Sequence, residues 1–212
     1  ALPICVALAS ARWIIERDVS KVRIVAGRGH NGGDALAIAR LAALAGLETE
    51  VAALEPVASS LTERQLGWAL AAGARRVAAP DAWRPEPATV LVDGLLGAGF
   101  HGEMRPEIAT WIRHAQAAAR DLVLSLDAPS GLNLDTGVPA PTTIRATHTL
   151  ATGLYKRGHF SDLTLPHLGQ VGRLELGLEP TDGSQPRARL VPPQSPPERP
   201  AWLHKGSAGT VL

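Results

Sequence analysis

A single cysteine, Cys5, in a chain of 212 residues leaves no internal disulfide to be made, and no group of cysteines and histidines has zinc-finger spacing. The fold therefore rests on packing alone, and a reducing, cytoplasmic compartment fits it. Neither sign of charge is in excess: 21 Lys and Arg face 20 Asp and Glu, a net charge of +1. A field that weak recruits neither nucleic acid nor an anionic membrane. No apolar run reaches the roughly 18 residues that span a bilayer, so a transmembrane protein is excluded. The opening ALPICVALASA is apolar but lacks the basic leader of a targeting signal. It reads instead as an amphipathic helix at a mature or cut start, with Leu2, Val6, Ala9 and Trp13 at helical spacing. Apolar residues at 45% and charged residues at 19% suit a folded globular domain.

What is present is an alternation of strand and helix signals. The β-branched run 22–26 ends in the glycine-rich GRGHNGGD, and residues 35–45 are almost all strong helix formers up to Gly46. With a strand over 49–54 this completes a β-α-β unit of about 30 residues, which implies a parallel sheet. Ser60 and Glu63 have capping-box spacing ahead of a second helix that Gly73 closes. Strands are expected over 75–79, 89–96, 122–126, 147–151 and 171–176, and a helix with Pro106 at its first position carries Ile108, Trp111, Ile112 and Ala115 on one face. The layout is α/β. Residues 181–200 hold six prolines and read as a linker, and only twelve residues follow.

In an open parallel sheet, ligands bind beyond the carboxyl ends of the strands. Three loops lie there: 27–35, 93–103 and 127–133. The first, Gly27-Arg28-Gly29-His30-Asn31-Gly32, matches GxGxxG between a strand and a helix. A carboxylate at Asp34, in the expected first turn, would repel a pyrophosphate there, so Asp34 either caps the helix or faces a polar ligand with Asn31. The second loop offers small residues whose N–H groups can form an anion nest, or simply turn. The third, Asp127-Ala128-Pro129-Ser130-Gly131, sets an acid and a hydroxyl three residues apart after a buried strand; both can also merely satisfy turn N–H groups. Oxygens from Asn31, Asp93 and Ser130 would converge if these loops are neighbours. Such hard donors suit a monovalent or weakly held cation better than zinc.

The segments VAGRGHNGGDALAIARLAALAG, VLVDGLLGAGFHGE and LSLDAPSGLNLDTG resemble, in order and spacing, the signature segments of the YjeF N-terminal domain family, the NAD(P)H-hydrate epimerases. THTLATGLYKRGH is similar to that family's later strand and lysine segment. The resemblance implies a Rossmann-like three-layer α/β/α sandwich with a mostly parallel sheet over residues 1–180. It implies interconversion of the R and S forms of hydrated NADH or NADPH, an isomerase activity in metabolite repair, and admits a homodimer. Carried over by residue, His30, Asn31, Gly32, Gly33 and Asp34 would bind substrate, with Gly97, Ala98, Gly99, Phe100, His101, Gly102, Glu103 and Asp127. Asn31, Asp93 and Ser130 would hold a potassium ion. His30, Arg28 and Ala35 depart from the family's usual Asn, Pro or small residue, and Gly. The last residues, 201–212 with HKGSAG, resemble the start of an ADP-dependent NAD(P)H-hydrate dehydratase domain, which would make this the epimerase half of a bifunctional repair enzyme.

Asp127 is the expected proton shuttle, with Lys156 the second candidate. Two rival functions stand beside this one. A catalytically silent module could keep the pocket for a nucleotide or an ADP-ribose-type ligand. An ordinary dehydrogenase would need an acid at the end of the second strand, for which Glu55 is the late candidate, and Asp34 argues against it.

Overall fold

A computed structural model describes residues 2–55 and 60–176, without the side chains of residues 2–4 and 60. Of the two units into which the chain divides, Ala1–Leu178 and Glu179–Leu212, the description falls in the first. The expected linker at 181–200 and the segment 201–212 lie outside the described residues, as does the side chain of the expected capping residue Ser60.

Helix α1 (Leu2–Ile15) precedes strand β1 (Lys21–Ala26), followed by α2 (His30–Leu44), β2 (Glu48–Ala53), α3 (Ser60–Ala71), β3 (Arg75–Val77) and β4 (Thr89–Gly94). Then come α4 (Pro106–Ala118), β5 (Leu122–Leu126), a hairpin of β6 (Leu132–Asn133) and β7 (Val138–Pro139), β8 (His148–Thr152), the one-turn α5 (Leu165–Leu168) and β9 (Gln170–Leu174). Seven strands form one sheet in the order β3-β2-β1-β4-β5-β8-β9, with every neighbouring pair parallel.

Side-chain alternation builds the layers. Ile24, Ala26, Val92 and Leu124 point to one face, where they pack with Ala11 and Ile14 of α1, Leu36 and Ala39 of α2, and Leu66 and Ala69 of α3. Val25, Leu91 and Val123 point to the other face, against Ile108, Ile112 and Ala115 of α4. The central strands β1 and β4 are buried on both sides, which is why they read as continuous apolar runs. The result is the expected three-layer α/β/α sandwich. The strand order reverses between β1 and β4, so a crevice opens beyond their carboxyl ends.

Three local expectations change. Helix α2 begins at His30 rather than Ala35, so Asn31, Gly32 and Gly33 form its first turn and Asp34 lies one turn in. Gly29 is the N-cap and no side chain caps the helix, which removes Asp34 from that role. Glycine is a poor helix former, but packing overrides propensity here: a Cβ on Gly32 would run into the backbone of Gly27. The buried stripe of α1 is Val6, Ala7, Ser10, Ala11 and Ile14, with Ala9 and Trp13 only half-buried at its edge. Small residues let this helix lie close to the alanine-rich α2. The β6–β7 hairpin was not expected; Asn133 Oδ1 accepts from the N–H groups of Asp135 and Thr136, both at 3.0 Å, and closes it.

Candidate active site

The β1–α2 turn and the loop after β4 touch backbone to backbone. A Cβ on Gly27 would collide with the carbonyl of Leu95, and only glycine permits this approach. It brings the first turn of α2 against the second loop, where Asn31 Nδ2 donates to Leu96 O at 2.7 Å.

Behind this rim sits Asp93, at the carboxyl end of β4 and fully buried. Its Oδ1 accepts from Ser130 Oγ at 2.5 Å and Leu95 N at 3.3 Å, and its Oδ2 from Ser130 N at 2.7 Å and Ser125 Oγ at 2.9 Å. Ser130 Oγ in turn accepts from Leu96 N at 2.9 Å. Burial pushes the Asp93 carboxyl up in pKa, and the bonds from Ser130, Ser125 and Leu95 hold that rise back. No ion pair among the described residues includes it. Asn31, Asp93 and Ser130 therefore belong to one continuous hydrogen-bonded chain through Leu96. Asp93 and Ser130 stand behind the cavity wall, and Asn31 forms part of it.

Asp127 follows β5 in a left-handed conformation, φ 62°, which turns its side chain out of the sheet toward β8. Oδ1 accepts from Lys156 Nζ at 2.5 Å, Thr152 Oγ1 at 2.7 Å and Thr152 N at 3.1 Å. Its carbonyl is held as well. Lys156 N donates to His159 Nδ1 at 3.0 Å, which leaves Nε2 of the neutral ring to donate to Asp127 O at 2.8 Å. Burial raises the Asp127 carboxyl, but the Lys156 ammonium and the Thr152 donors outweigh it, so the group lies below its ordinary pKa and is ionised. Asp34 is the opposite case. Burial first, and the nearby Asp127 charge second, push its carboxyl up to about 7.

Asp34 and Asp127 line one cavity of about 610 Å³. Of the residues expected to bind substrate, His30, Asn31, Asp34, Gly97, Ala98, Gly99, Phe100, His101, Glu103 and Asp127 line it. Gly32, Gly33 and Gly102 are not among the lining residues. Gly32 packs on Gly27 and Gly33 on Thr62 of α3. Lys156 is not a lining residue and reaches the cavity through Asp127 and Thr152, both of which it holds. Arg28, Leu54, Met104, Arg105, Ile108 and Thr152 also line it without having been named as substrate contacts, as do Gly29, Leu95 and Leu96 of the two glycine loops. A glycine motif marks a turn but not which distant side chains close over it. Positional signals were present for Arg28, inside the loop 27–35, and for Leu54 and Thr152, at the carboxyl ends of the predicted strands 49–54 and 147–151.

A known family and known proteins are similar to this chain. Residues 5–158 match the family described as YjeF-related protein N-terminus. The bifunctional NAD(P)H-hydrate repair enzyme Nnr of Gloeobacter violaceus is 35% identical over 91% of this chain and 40% of its own length. The enzyme of the same name from Coxiella burnetii is 33% identical over 95% of this chain and 42% of its own. The chain thus spans about two-fifths of the length of these curated relatives. The crystal structure of the yeast protein ynu0 superimposes with a TM-score of 0.65 at 20% identity, covering 81% of this chain and 74% of that one, a likeness of fold.

Proposed function

The chain belongs to the family of YjeF-related protein N-termini, and from that membership we propose that it interconverts the R and S forms of hydrated NADH or NADPH. It does so as the epimerase half of a bifunctional nucleotide-repair enzyme, beside a dehydratase domain. The observation that carries this is a pair of carboxyls lining one cavity at the switch point of a doubly wound sheet, Asp34 pushed up to about 7 and Asp127 held below its ordinary value by Lys156 and Thr152.

The substrate carries a hydroxyl on C6, beside the ring nitrogen. Inversion requires that C–O bond to open and reform on the other face. Asp34, protonated near neutral pH, gives its proton to the departing hydroxyl, which leaves as water while the ring nitrogen's lone pair forms an iminium cation. Asp127, kept anionic by Lys156 and Thr152, faces that cation and stabilises it. Water adds to the opposite face and returns a proton to Asp34, so atoms and charge balance over the cycle. The proton expected on Asp127 is in this account carried by Asp34, and Lys156 is a positioning residue.

Potassium fits the residues present. A buried Asp93 carboxyl without a cationic partner among the described residues, bonded to the Ser130 hydroxyl and linked through Leu96 to the Asn31 side-chain amide, is a set of hard oxygen donors. Asn31, Asp93 and Ser130 would hold the ion. A bound potassium ion would offset the charge of Asp93 and would tie the loop after β4 to the start of α2 through these residues.

The test is the approach to equilibrium of a single purified epimer. The wild-type chain with potassium should exchange R and S, and Asp127→Asn, with its fold checked, should lose most of the rate. An R to S ratio that never moves would refute the activity, and nucleotide binding without exchange would leave a binding module.

A further inference from the structure

A second cavity, of about 580 Å³, opens at the carboxyl ends of β2 and β3 and takes no part in the reaction just described. Leu54 lines both cavities, and Arg28 ties them together. From the glycine-rich turn the Arg28 guanidinium donates to Glu55 O at 2.9 and 2.5 Å and pairs with Glu107 of α4 at 3.0 Å. Arg76 of β3 pairs with the Glu55 carboxylate. Four charged side chains thus frame one corner, two of each sign.

In doubly wound sheets the end of the second strand meets the ribose farther from the reacting ring. An acid there takes the ribose hydroxyl, whereas a 2′-phosphate needs an uncommitted arginine. Glu55 stands two residues past β2, and its carboxylate is 64% exposed, open to a hydroxyl donor. Among the described residues, both arginines that frame this corner are matched by a glutamate, so neither offers an uncommitted positive charge to a phosphate dianion. Such a group would also sit against two carboxylates.

We propose that the corner formed by Arg28, Glu55, Arg76 and Glu107 is the subsite for the adenosine-side ribose of the dinucleotide, and that it selects the form with a free 2′-hydroxyl over the 2′-phosphorylated form. This rests on the dinucleotide reading above but not on turnover. Arg28, where the family resemblance leads one to expect proline or a small residue, staples the turn, the end of β2 and the start of α4, which keeps Glu55 placed.

Calorimetric titration of the 212-residue chain with ADP-ribose and with 2′-phospho-ADP-ribose tests it. Like-charge contact should make ADP-ribose the tighter ligand by about tenfold or more, and Glu55→Gln should bring the ratio to about threefold or less. The exchange is isosteric at an exposed position, so melting should not change; Glu107→Gln reads the same corner should Glu55→Gln melt early. Equal affinities, preference for the phosphorylated probe, binding of neither, or a ratio that neither variant moves would overturn the proposal. Absence of R to S exchange with the ADP-ribose preference intact would refute the activity and leave the subsite standing.

Discussion

Asp34→Asn should stabilise the protein in alkali and do little in acid. In the folded chain the Asp34 carboxyl rises from 3.8 to about 7, because water is largely excluded and ionised Asp127 shares its cavity. Below 3.8 both folded and unfolded chains hold the proton and nothing is gained or lost. Between 3.8 and about 7 the folded state binds more protons than the unfolded, so stability falls as pH rises, and above about 7 the full cost is present. At about 1.36 kcal/mol per pH unit the span amounts to about 4 kcal/mol, and solvent at the half-buried side chain screens it to about 2. Urea unfolding of wild type and Asp34→Asn at about pH 4 and about pH 8.5 measures it. The variant should match wild type in acid and exceed it by about 2 kcal/mol in alkali, while epimer exchange is lost. A stability difference that does not grow with pH would refute the raised carboxyl, and with it the proton assigned to Asp34.

Lys156→Met leaves the Asp127 carboxylate without its cation and should cost about 1–3 kcal/mol near neutrality. Because the pair holds the Asp127 carboxyl below its ordinary value, its contribution is present above that value and lost as pH falls through the folded pKa. The deficit in thermal stability should therefore shrink in acid. Asp93→Asn removes acceptor capacity facing four donors and should lower unfolding free energy by about 2–4 kcal/mol in urea; a change under about 0.5 would count against the buried network. Gly32→Ala drives a Cβ into the Gly27 backbone and should cost about 3 kcal/mol, whereas Gly29→Ala, with open space around it, should melt within a degree or two, roughly, of wild type.

Much of the architecture was legible because it is local. Short apolar runs bounded by turn residues marked β1, β2, β4, β5, β8 and β9 within a residue or two, and Pro106 marked the first residue of α4. The start of α2 was not legible, since no local preference puts two adjacent glycines in a helical turn. Packing of Gly32 on Gly27 and of Gly33 on Thr62 does. The stripe of α1 shifted for the same reason: the partner surface, not the helix, chose which small residues to bury. Among the site residues, the glycine loops and the acids after β4 and β5 stood out by position in the pattern. Arg105, Met104 and the bridging of two cavities by Arg28 did not, because they depend on contacts between elements far apart in the chain.

The order of residues by itself determined the layers, the parallel sheet and the rim on which the acids would gather, because side-chain periodicity and turn chemistry act between near neighbours. Which acid is pushed up to about 7, Asp34, and which is held below its ordinary value, Asp127, was decided only by tertiary structure. Exclusion of water and a lysine arriving 29 residues later set the two apart, and neither is encoded within one turn of either carboxylate.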